Sequence, residues 1–199
     1  MYNVFRDKKI IIVGPATNQP KDAFLKKYDF VIRTNNFINS ALSKKRCDIL
    51  LLNDITAKSL DPKSLAKIHK SGIKYIVCYG SHIGRLRKLL PNKKFIRLEH
   101  KRVVRVGKTV VGFQSSPTII YVFLMTLMSK HRAFKEVFFD GIDFYRGRRR
   151  YIPGYAWSFH MKRDSHNHSV NTDRKFLGFL LRRMGKIKTT GFIRKITRM

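Results

Sequence analysis

The sequence predicts an α/β protein built on a single doubly wound, mostly parallel sheet flanked by helices. Three observations support this prediction. Short apolar runs recur along the chain, each run ends in glycine or a polar residue, and helical patterns separate the runs. This alternation is typical of parallel βαβ units. The chain has 199 residues, of which 43% are hydrophobic, so one domain with one substantial core is expected.

Five strands can be assigned in order from these runs. The first covers residues 9–13 and stops at Gly14, and the second covers residues 29–33 and stops near Asn35. The third, fourth and fifth cover residues 49–52, 75–78 and 137–139, and they stop at Asn53, Tyr79 and Asp140-Gly141. Residues 62–69 have a helical pattern. Because parallel strands end at one edge of their sheet, Gly14, Asn35, Asn53 and Gly141 are predicted to lie together there.

The longest uncharged stretch, residues 109–129, predicts a buried helix. Polar residues 114–118 interrupt it, so the apolar remainder is too short to span a bilayer. Ser115-Ser116 followed by Pro117 is a helix-start pattern, with serine at the cap and proline at the first helical position. Free N–H groups and hydroxyls at such a start can bind an anion, and capping without any ligand explains the pattern equally well.

The chain is strongly basic, with 43 Lys and Arg against 12 Asp and Glu and a net charge of +31. Such a charge attracts polyanions, although a solvated basic surface is an alternative explanation. Anionic phospholipid or a phosphorylated glycan is favoured over nucleic acid as a partner. The reason is that no RRM, KH, zinc-finger or helix-turn-helix pattern accompanies the charge.

Cysteine content and the ends of the chain indicate a cytoplasmic protein. Cys47 and Cys78 form no metal or redox motif and are predicted to be core residues in a reducing compartment. Residues 1–9 lack the apolar segment of a secretory signal. Near the other end, Leu177, Leu180, Leu181 and Met184 have helical spacing and precede a basic tail. This segment is interpreted either as a core-packing helix or as a peripheral contact with the inner face of the membrane.

The edge of the sheet where the parallel strands are predicted to end, which we call the rim, has residues suited to binding a nucleotide. Gly14 allows a close backbone approach, and the side-chain amides of Asn35 and Asn53 can bind ribose hydroxyls or a base edge. Each signal is weak alone, because a Gly-Pro after a strand is often only a turn. Neither a GxGxxG nor a GxxxxGK[ST] motif is present.

A second group of candidate residues follows the last apolar strand. Tyr145 and Tyr151 flank the basic turn at residues 146–150, where phenolic hydroxyls could stabilise a departing phosphate. His166 and His168 are two positions apart, which does not suit a helical pair of metal ligands. One histidine could instead act as a general base near neutral pH, and a purely structural histidine is the alternative.

These motifs resemble the bacterial sialyltransferases of glycosyltransferase family 42, the lipo-oligosaccharide type. The shared pattern is GIDFY at 141–145, a tyrosine at 151, SH at 165–166 and HSVNTD at 168–173, where the family has HSKNTD. Upstream, RTNNF at 33–37 is similar to the family's RCNQF, and KRCDILLLN at 45–53 is similar to its KKCKAVFYN. Ser115-Ser116 stands where the family has Thr-Ser. The resemblance covers most of the chain.

The resemblance implies a variant GT-A, Rossmann-like nucleotide-binding fold and an inverting transfer of sialic acid from CMP-sialic acid. It implies no metal and no other cofactor. By position, His168 would take the proton of the acceptor hydroxyl, and Tyr145 and Tyr151 would bind the phosphate of the leaving CMP. The nucleotide would be held by the rim and helix-start residues, which are Gly14, Asn35, Asn53, Ser115, Ser116 and Gly141.

The same resemblance implies a transferase domain at residues 1–188, with a lid at about 146–164, and a basic tail at 189–199. A glycan or glycolipid acceptor in lipopolysaccharide biosynthesis is expected, together with an anionic membrane surface and no specific nucleic acid. Whether the protein forms a homo-oligomer is left open.

Residues 14–18 read GPATN where the family has GNGPS, and Pro117 replaces a glycine. The sugar could therefore be sialic acid, Kdo or another CMP-linked sugar. The alternatives are a polyanion-binding α/β protein without activity and a glycosyltransferase-like pseudoenzyme.

Overall fold

The computed structural model describes residues 3–14, 16, 19–98, 120, 123, 124, 126, 127, 134–142 and 170–191. Seven parallel strands of this part of the chain form one open sheet, in the order β5-β4-β3-β2-β1-β6-β7. They are β1 (Lys9–Val13), β2 (Phe30–Thr34), β3 (Ile49–Leu51), β4 (Tyr75–Tyr79), β5 (Lys94–Leu98), β6 (Glu136–Asp140) and β7 (Ile187–Thr189). The predicted fold class is thereby confirmed.

Helices cover the sheet. Those described along their full length are α1 (Asp22–Leu25), α2 (Asp54–Lys58), α3 (Pro62–Lys70), α4 (Gly80–Leu89) and α5 (Val170–Arg183), with 3₁₀ turns at Asn3–Phe5 and Asn35–Asn39. The start of α3 follows from its sequence. Asp61 caps it by accepting a hydrogen bond of 2.6 Å from the Ser64 N–H, and Pro62 takes the first helical position.

The strand order contains one reversal of direction, at β1. The chain builds outward from β1 to β5 and then returns to the other side of β1 to add β6 and β7. β1 pairs with β2 from Ile10 to Val13 and with β6 from Lys9 to Val13. In open α/β sheets, the crevice beyond the carboxyl ends of the two strands at such a reversal is the usual ligand site. The carboxyl ends of β1 and β6 therefore direct attention to Gly14 and Gly141.

The core lies on both faces of the sheet, which explains why β1 is apolar throughout. Ile10, Ile11 and Ile12 are fully buried, as expected for a central parallel strand. On one face, helical residues within the predicted apolar helix are buried, namely Phe123, Leu124 and Leu127. The prediction of a buried helix there is confirmed for these positions. Cys47 and Cys78 are also buried, as predicted.

The apolar face of α5 packs into the same core. Leu177 and Leu180 are fully buried, and Leu181 and Met184 pack against the core cluster to which they belong. Of the two interpretations of this segment, core packing is therefore the one its leucines support. β7 follows α5 directly and includes residue 188, where the transferase domain was expected to end.

None of the helices in the described ranges combines the length and apolarity needed to cross a bilayer.

Candidate nucleotide-binding site

At the reversal point, two glycines bring the chain into close contact with itself. The Gly14 N–H donates to the Asp140 carbonyl at 2.9 Å, and the Ala16 N–H donates to the Gly141 carbonyl at 2.9 Å. A Cβ on Gly14 would lie 2.4 Å from the Gly141 oxygen. Gly141 has a φ of 61°, in the left-handed region that favours glycine. The close approach predicted at Gly14 is thus an approach to the protein's own backbone.

Gln19 and Arg33 fix the loop that follows β1. The Gln19 Nε2 donates to the Gly14 carbonyl at 2.9 Å and also to the Ala16 carbonyl. Arg33, only 1% exposed, donates from Nη1 to the Gln19 Oε1 at 2.8 Å and from Nε to the Arg46 carbonyl at 3.0 Å. Its guanidinium also lies over the Phe37 ring, 4.9 Å from the centroid. A buried cation on the sheet thus holds the loop that starts at Gly14.

The sequence alone did not identify Gln19 or Arg33 as parts of the site. Arg33 did leave a signal, because it is the one charged residue in the strand FVIRT. A buried charge must have hydrogen-bond partners, so an arginine within a buried strand predicts an ordered polar network. Gln19 left no comparable signal, since its partners are set by the path of the loop.

Asn35 and Asn53 meet at the carboxyl ends of β2 and β3. The Asn53 N–H donates to the Asn35 Oδ1 at 2.9 Å, and the Asn53 Oδ1 caps α2 by accepting from the Thr56 N–H at 2.7 Å. Asn35 adopts a φ of 47°, a conformation that asparagine tolerates better than most residues. Both side-chain oxygens are therefore used within the protein. The residues that the structure describes offer no acceptor to either Nδ2 group, so both amides can act as donors to a ligand.

The same rim carries a charged cluster at the start of α2 and α4. The carboxylate of Asp54 pairs through Oδ2 with the Lys58 Nζ at 2.8 Å and through Oδ1 with the Nε2 of the buried His82. The hydrogen bonds from Lys58 and then His82 hold the pKa of Asp54 below its usual value. Nearby, burial and the Asp54 charge raise the pKa of Tyr79 to about 12, so this phenol stays protonated at neutral pH. The cluster ties α2 to α4 next to Asn53.

Replacing Asp54 with Asn is expected to lower stability in a pH-dependent way. A carboxyl whose folded pKa is depressed stabilises the protein above its unfolded pKa, and this contribution is lost as pH falls through the folded pKa. Since the Asp54 side chain is 47% exposed, we expect a loss of only about 0.5–1 kcal/mol at pH 7. The loss should shrink below the ordinary aspartate value of 3.8. Urea unfolding of both proteins between pH 7 and pH 3 measures it.

The matched control is Asp22→Asn, which removes a carboxylate that pairs with Lys45 and is itself more exposed than Asp54 (61% against 47%). Its effect on the free energy of unfolding should be close to zero. A difference between wild type and Asp54→Asn that stays constant from pH 7 to pH 3 would contradict the assigned role of the carboxylate.

Asp140, at the end of β6, lies directly beneath the glycine contact. It is 8% exposed, and its Oδ1 accepts from the Gly141 N–H at 2.7 Å. Burial raises the pKa of Asp140, and the bond from Gly141 opposes this rise. The carboxyl therefore stabilises the turn after β6 through a short local hydrogen bond.

Five predicted site residues lie outside the described part of the chain. They are Ser115, Ser116, Tyr145, Tyr151 and His168. Their assignments stay predictions. Among the described residues, no three His, Cys, Asp or Glu side chains are grouped so that they could hold a metal ion.

The four described site residues follow four neighbouring strands, in the order β3, β2, β1 and β6. They present two half-buried asparagine amides beside a tight backbone turn. Amide donors at the carboxyl ends of parallel strands are suited to the hydroxyl and phosphate oxygens of a nucleotide. The arrangement is therefore chemically suited to a nucleotide at the carboxyl ends of these strands.

The sequence matches no protein-family model and no curated protein sequence. Solved structures of the sialyltransferase CstII from Campylobacter jejuni are similar in fold. A complex with cytidine-5′-monophosphate gives a TM-score of 0.57 at 19% identity, over 92% of this chain and 80% of that one. Monomeric CstII gives 0.54 at 18% identity, over 92% and 80%. A complex with CMP-3FNeuAc gives 0.53 at 20% identity, over 92% and 78%. The chain therefore has a sialyltransferase-like fold.

Proposed function

We propose that this protein is an inverting glycosyltransferase that transfers sialic acid or a related sugar from a CMP-linked donor to a hydroxyl of a glycan or glycolipid. One observation carries the proposal. Asn35 and Asn53 lie in contact after the carboxyl ends of the adjacent strands β2 and β3, in a fold shared with a sialyltransferase that was solved with cytidine-5′-monophosphate.

In this proposal, the nucleotide lies across the carboxyl ends of β3, β2, β1 and β6. The Nδ2 groups of Asn35 and Asn53 donate to its hydroxyl or base oxygens, and the Gly14 and Gly141 backbones form the floor. Ser115 and Ser116, at a predicted helix start, would donate to the phosphate. All of these contacts are hydrogen bonds from neutral groups, so the scheme uses no metal ion and no cofactor.

Chemically, the acceptor oxygen forms a bond to the anomeric carbon as the bond between that carbon and the CMP phosphate oxygen breaks. His168 takes the acceptor proton, and CMP leaves with the bonding electron pair. The carbon passes through an oxocarbenium-like state, so negative charge grows on the phosphate. Tyr145 and Tyr151 donate hydrogen bonds to it. Attack from the face opposite the leaving group inverts the anomeric configuration.

Replacing Asn53 with Ser is expected to weaken CMP binding by about tenfold while leaving the fold intact. The serine hydroxyl keeps the cap on α2, because Ser and Asn are equivalent N-cap residues. It cannot replace the Nδ2 donor, and a hydrogen bond of this kind contributes about 1 kcal/mol or somewhat more. Isothermal titration calorimetry with CMP measures the change.

The control for this experiment is Asn39→Ser, the same substitution at a residue whose amide donates to the Ser64 Oγ at 2.7 Å. Asn39 ends the 3₁₀ turn that starts at Asn35, and its amide is already bound to α3. It should leave CMP affinity unchanged. Equal affinities for all three proteins would show that the Asn53 amide does not bind the nucleotide.

A screen of CMP-linked sugars for hydrolysis and transfer tests the reaction itself. Turnover with a CMP-linked sugar supports the transferase, and the best donor identifies the sugar. CMP binding without turnover of any donor would indicate a pseudoenzyme. No binding of CMP, together with salt-sensitive binding of nucleic acid, would favour a polyanion-binding protein.

A further inference from the structure

A concave site lies at the opposite end of the sheet from Asn35 and Asn53. It is a groove of about 360 Å³, which we call the basic groove, lined by Val4, Tyr75, Arg87, Lys93, Lys94 and Phe95. Tyr75 and Lys94 are the first residues of β4 and β5. Because a five-residue strand is about 16 Å long, the basic groove is separate from the proposed nucleotide site.

The walls of the basic groove combine aromatic rings with positive charges. The Phe95 side chain is almost fully buried and forms the apolar floor. The Arg87 guanidinium lies 6.0 Å from the centroid of the Phe95 ring, and the Lys94 Nζ lies 6.0 Å from that of Tyr75. Contacts of this kind hold a cation near a ring face. The two charges are therefore positioned at the mouth of the groove.

Lys93 adds a third cation, and this one is buried. The residue is only 8% exposed, and its Nζ donates to the Ser71 carbonyl at 3.0 Å. Burial lowers the pKa of the ammonium. Within the described part of the chain, no carboxylate forms an ion pair with Lys93, Lys94 or Arg87. A partly buried ammonium without a counter-ion among the described residues is unfavourable, and a bound anion would compensate it.

We propose that the basic groove binds a small phosphorylated ligand with a planar ring, of the size of a nucleoside monophosphate. Its phosphate would be held between Lys93, Lys94 and Arg87, through charge-assisted hydrogen bonds. Its ring would pack against Tyr75 and Val4, which pack against the same core cluster. The volume of the groove is at the lower end of the range for small-molecule sites, which suits one ring and one phosphate.

Charge argues against a second copy of the chain as the occupant. β5 is an edge strand of the sheet, and edge strands can pair with one another. A symmetric pairing would place Lys94 and Arg97 of both copies close together without intervening acids in this strand. Like charges at that distance repel. The positive charge therefore favours an anionic ligand.

Calorimetry with AMP on the full chain tests the proposal. Lys93→Met keeps the apolar stem and removes the ammonium, and Arg87→Gln removes a charge at an exposed position. Each variant is expected to bind AMP roughly tenfold more weakly than wild type, since each loses one charge-assisted hydrogen bond. The melting temperature of Lys93→Met will show whether this variant folds. If it does not, Arg87→Gln still tests whether the groove binds AMP.

Two control variants separate this site from nonspecific charge and from the proposed donor site. Lys67→Met makes the same charge change on α3, outside the groove, and should keep the AMP affinity within about twofold. Asn53→Ser should also leave AMP binding at the groove unchanged. If Lys67→Met lost as much AMP affinity as the groove variants, the proposal would be overturned. It would also be overturned if Asn53→Ser lost AMP affinity while Arg87→Gln kept it.

Larger anions provide the remaining arms of the test. A single-stranded oligonucleotide and vesicles containing anionic phospholipid are titrated under the same conditions. Binding of either one, with no detectable binding of AMP, would overturn the small-ligand proposal. Because the groove variants leave Asn35 and Asn53 intact, a failure of this proposal would not affect the proposed transferase function.

Discussion

Replacing His168 with Ala is expected to lower the rate of sugar transfer by about 10²- to 10⁴-fold, the usual contribution of a positioned general acid or base. The acceptor hydroxyl is a weak nucleophile, and without the imidazole its proton has no acceptor as the new bond forms. CMP affinity should change little, because the proposed nucleotide contacts come from other residues. Transfer rates with saturating donor, combined with CMP calorimetry, measure both quantities.

The control for this experiment is His166→Ala, which removes the neighbouring histidine and should retain most of the activity. In the wild-type protein, the rate should also fall at acidic pH, because a protonated imidazole cannot take the acceptor's proton. Undiminished transfer by His168→Ala would remove this residue from the mechanism. A larger loss in His166→Ala would reverse the assignment of the two histidines.

Replacing Gly14 with Ala is expected to destabilise the protein by about 3 kcal/mol, a large steric effect for one methyl group. The new Cβ would lie 2.4 Å from the Gly141 carbonyl oxygen and 2.7 Å from the Ile142 Cγ1. The first of these atoms belongs to the backbone, so β1 and β6 would have to separate where they end. Urea unfolding measures the loss in stability, and CMP calorimetry should show that binding weakens as well.

Gly84→Ala is the matched control, since a Cβ at Gly84 meets no atom of the described residues within 4 Å apart from its own helix backbone. Gly84 lies inside α4, where alanine is a better helix former than glycine. This variant should be as stable as wild type or more stable, by up to about 1 kcal/mol. Equal unfolding free energies for wild type and Gly14→Ala would show that the contact between the two loops relaxes without cost.

How far the sequence predicts this fold depends on the burial of each strand. The bounds of β1 were predicted correctly because an apolar run buried on both faces is followed by a glycine. β5 was not predicted, because this edge strand carries exposed Lys94 and Arg97 and its apolar pattern is interrupted. β7 is only three residues long and has one buried side chain, so it left almost no signal either.

The candidate site was predictable to the level of its strand ends. Asn35 and Asn53 were expected to lie together, because both follow strands of one parallel sheet. Their mutual hydrogen bond and the capping role of Asn53 depend on backbone angles, which composition does not reveal. The contact between Asp54 and His82 was also missed, since it depends on how α2 and α4 pack across two strands.

The position of β1 within the sheet has a consequence for synthesis on the ribosome. Among the described strands of this sheet, β1 is made before the others, yet one of its edges pairs with β6, which is made only after β5. Strands β1 to β5 can form a sheet before β6 is made, and the backbone edge of β1 that will pair with β6 is then still unpaired. An open edge of this kind can pair with another nascent chain. Chaperone contact during translation should therefore end only when β6 has emerged.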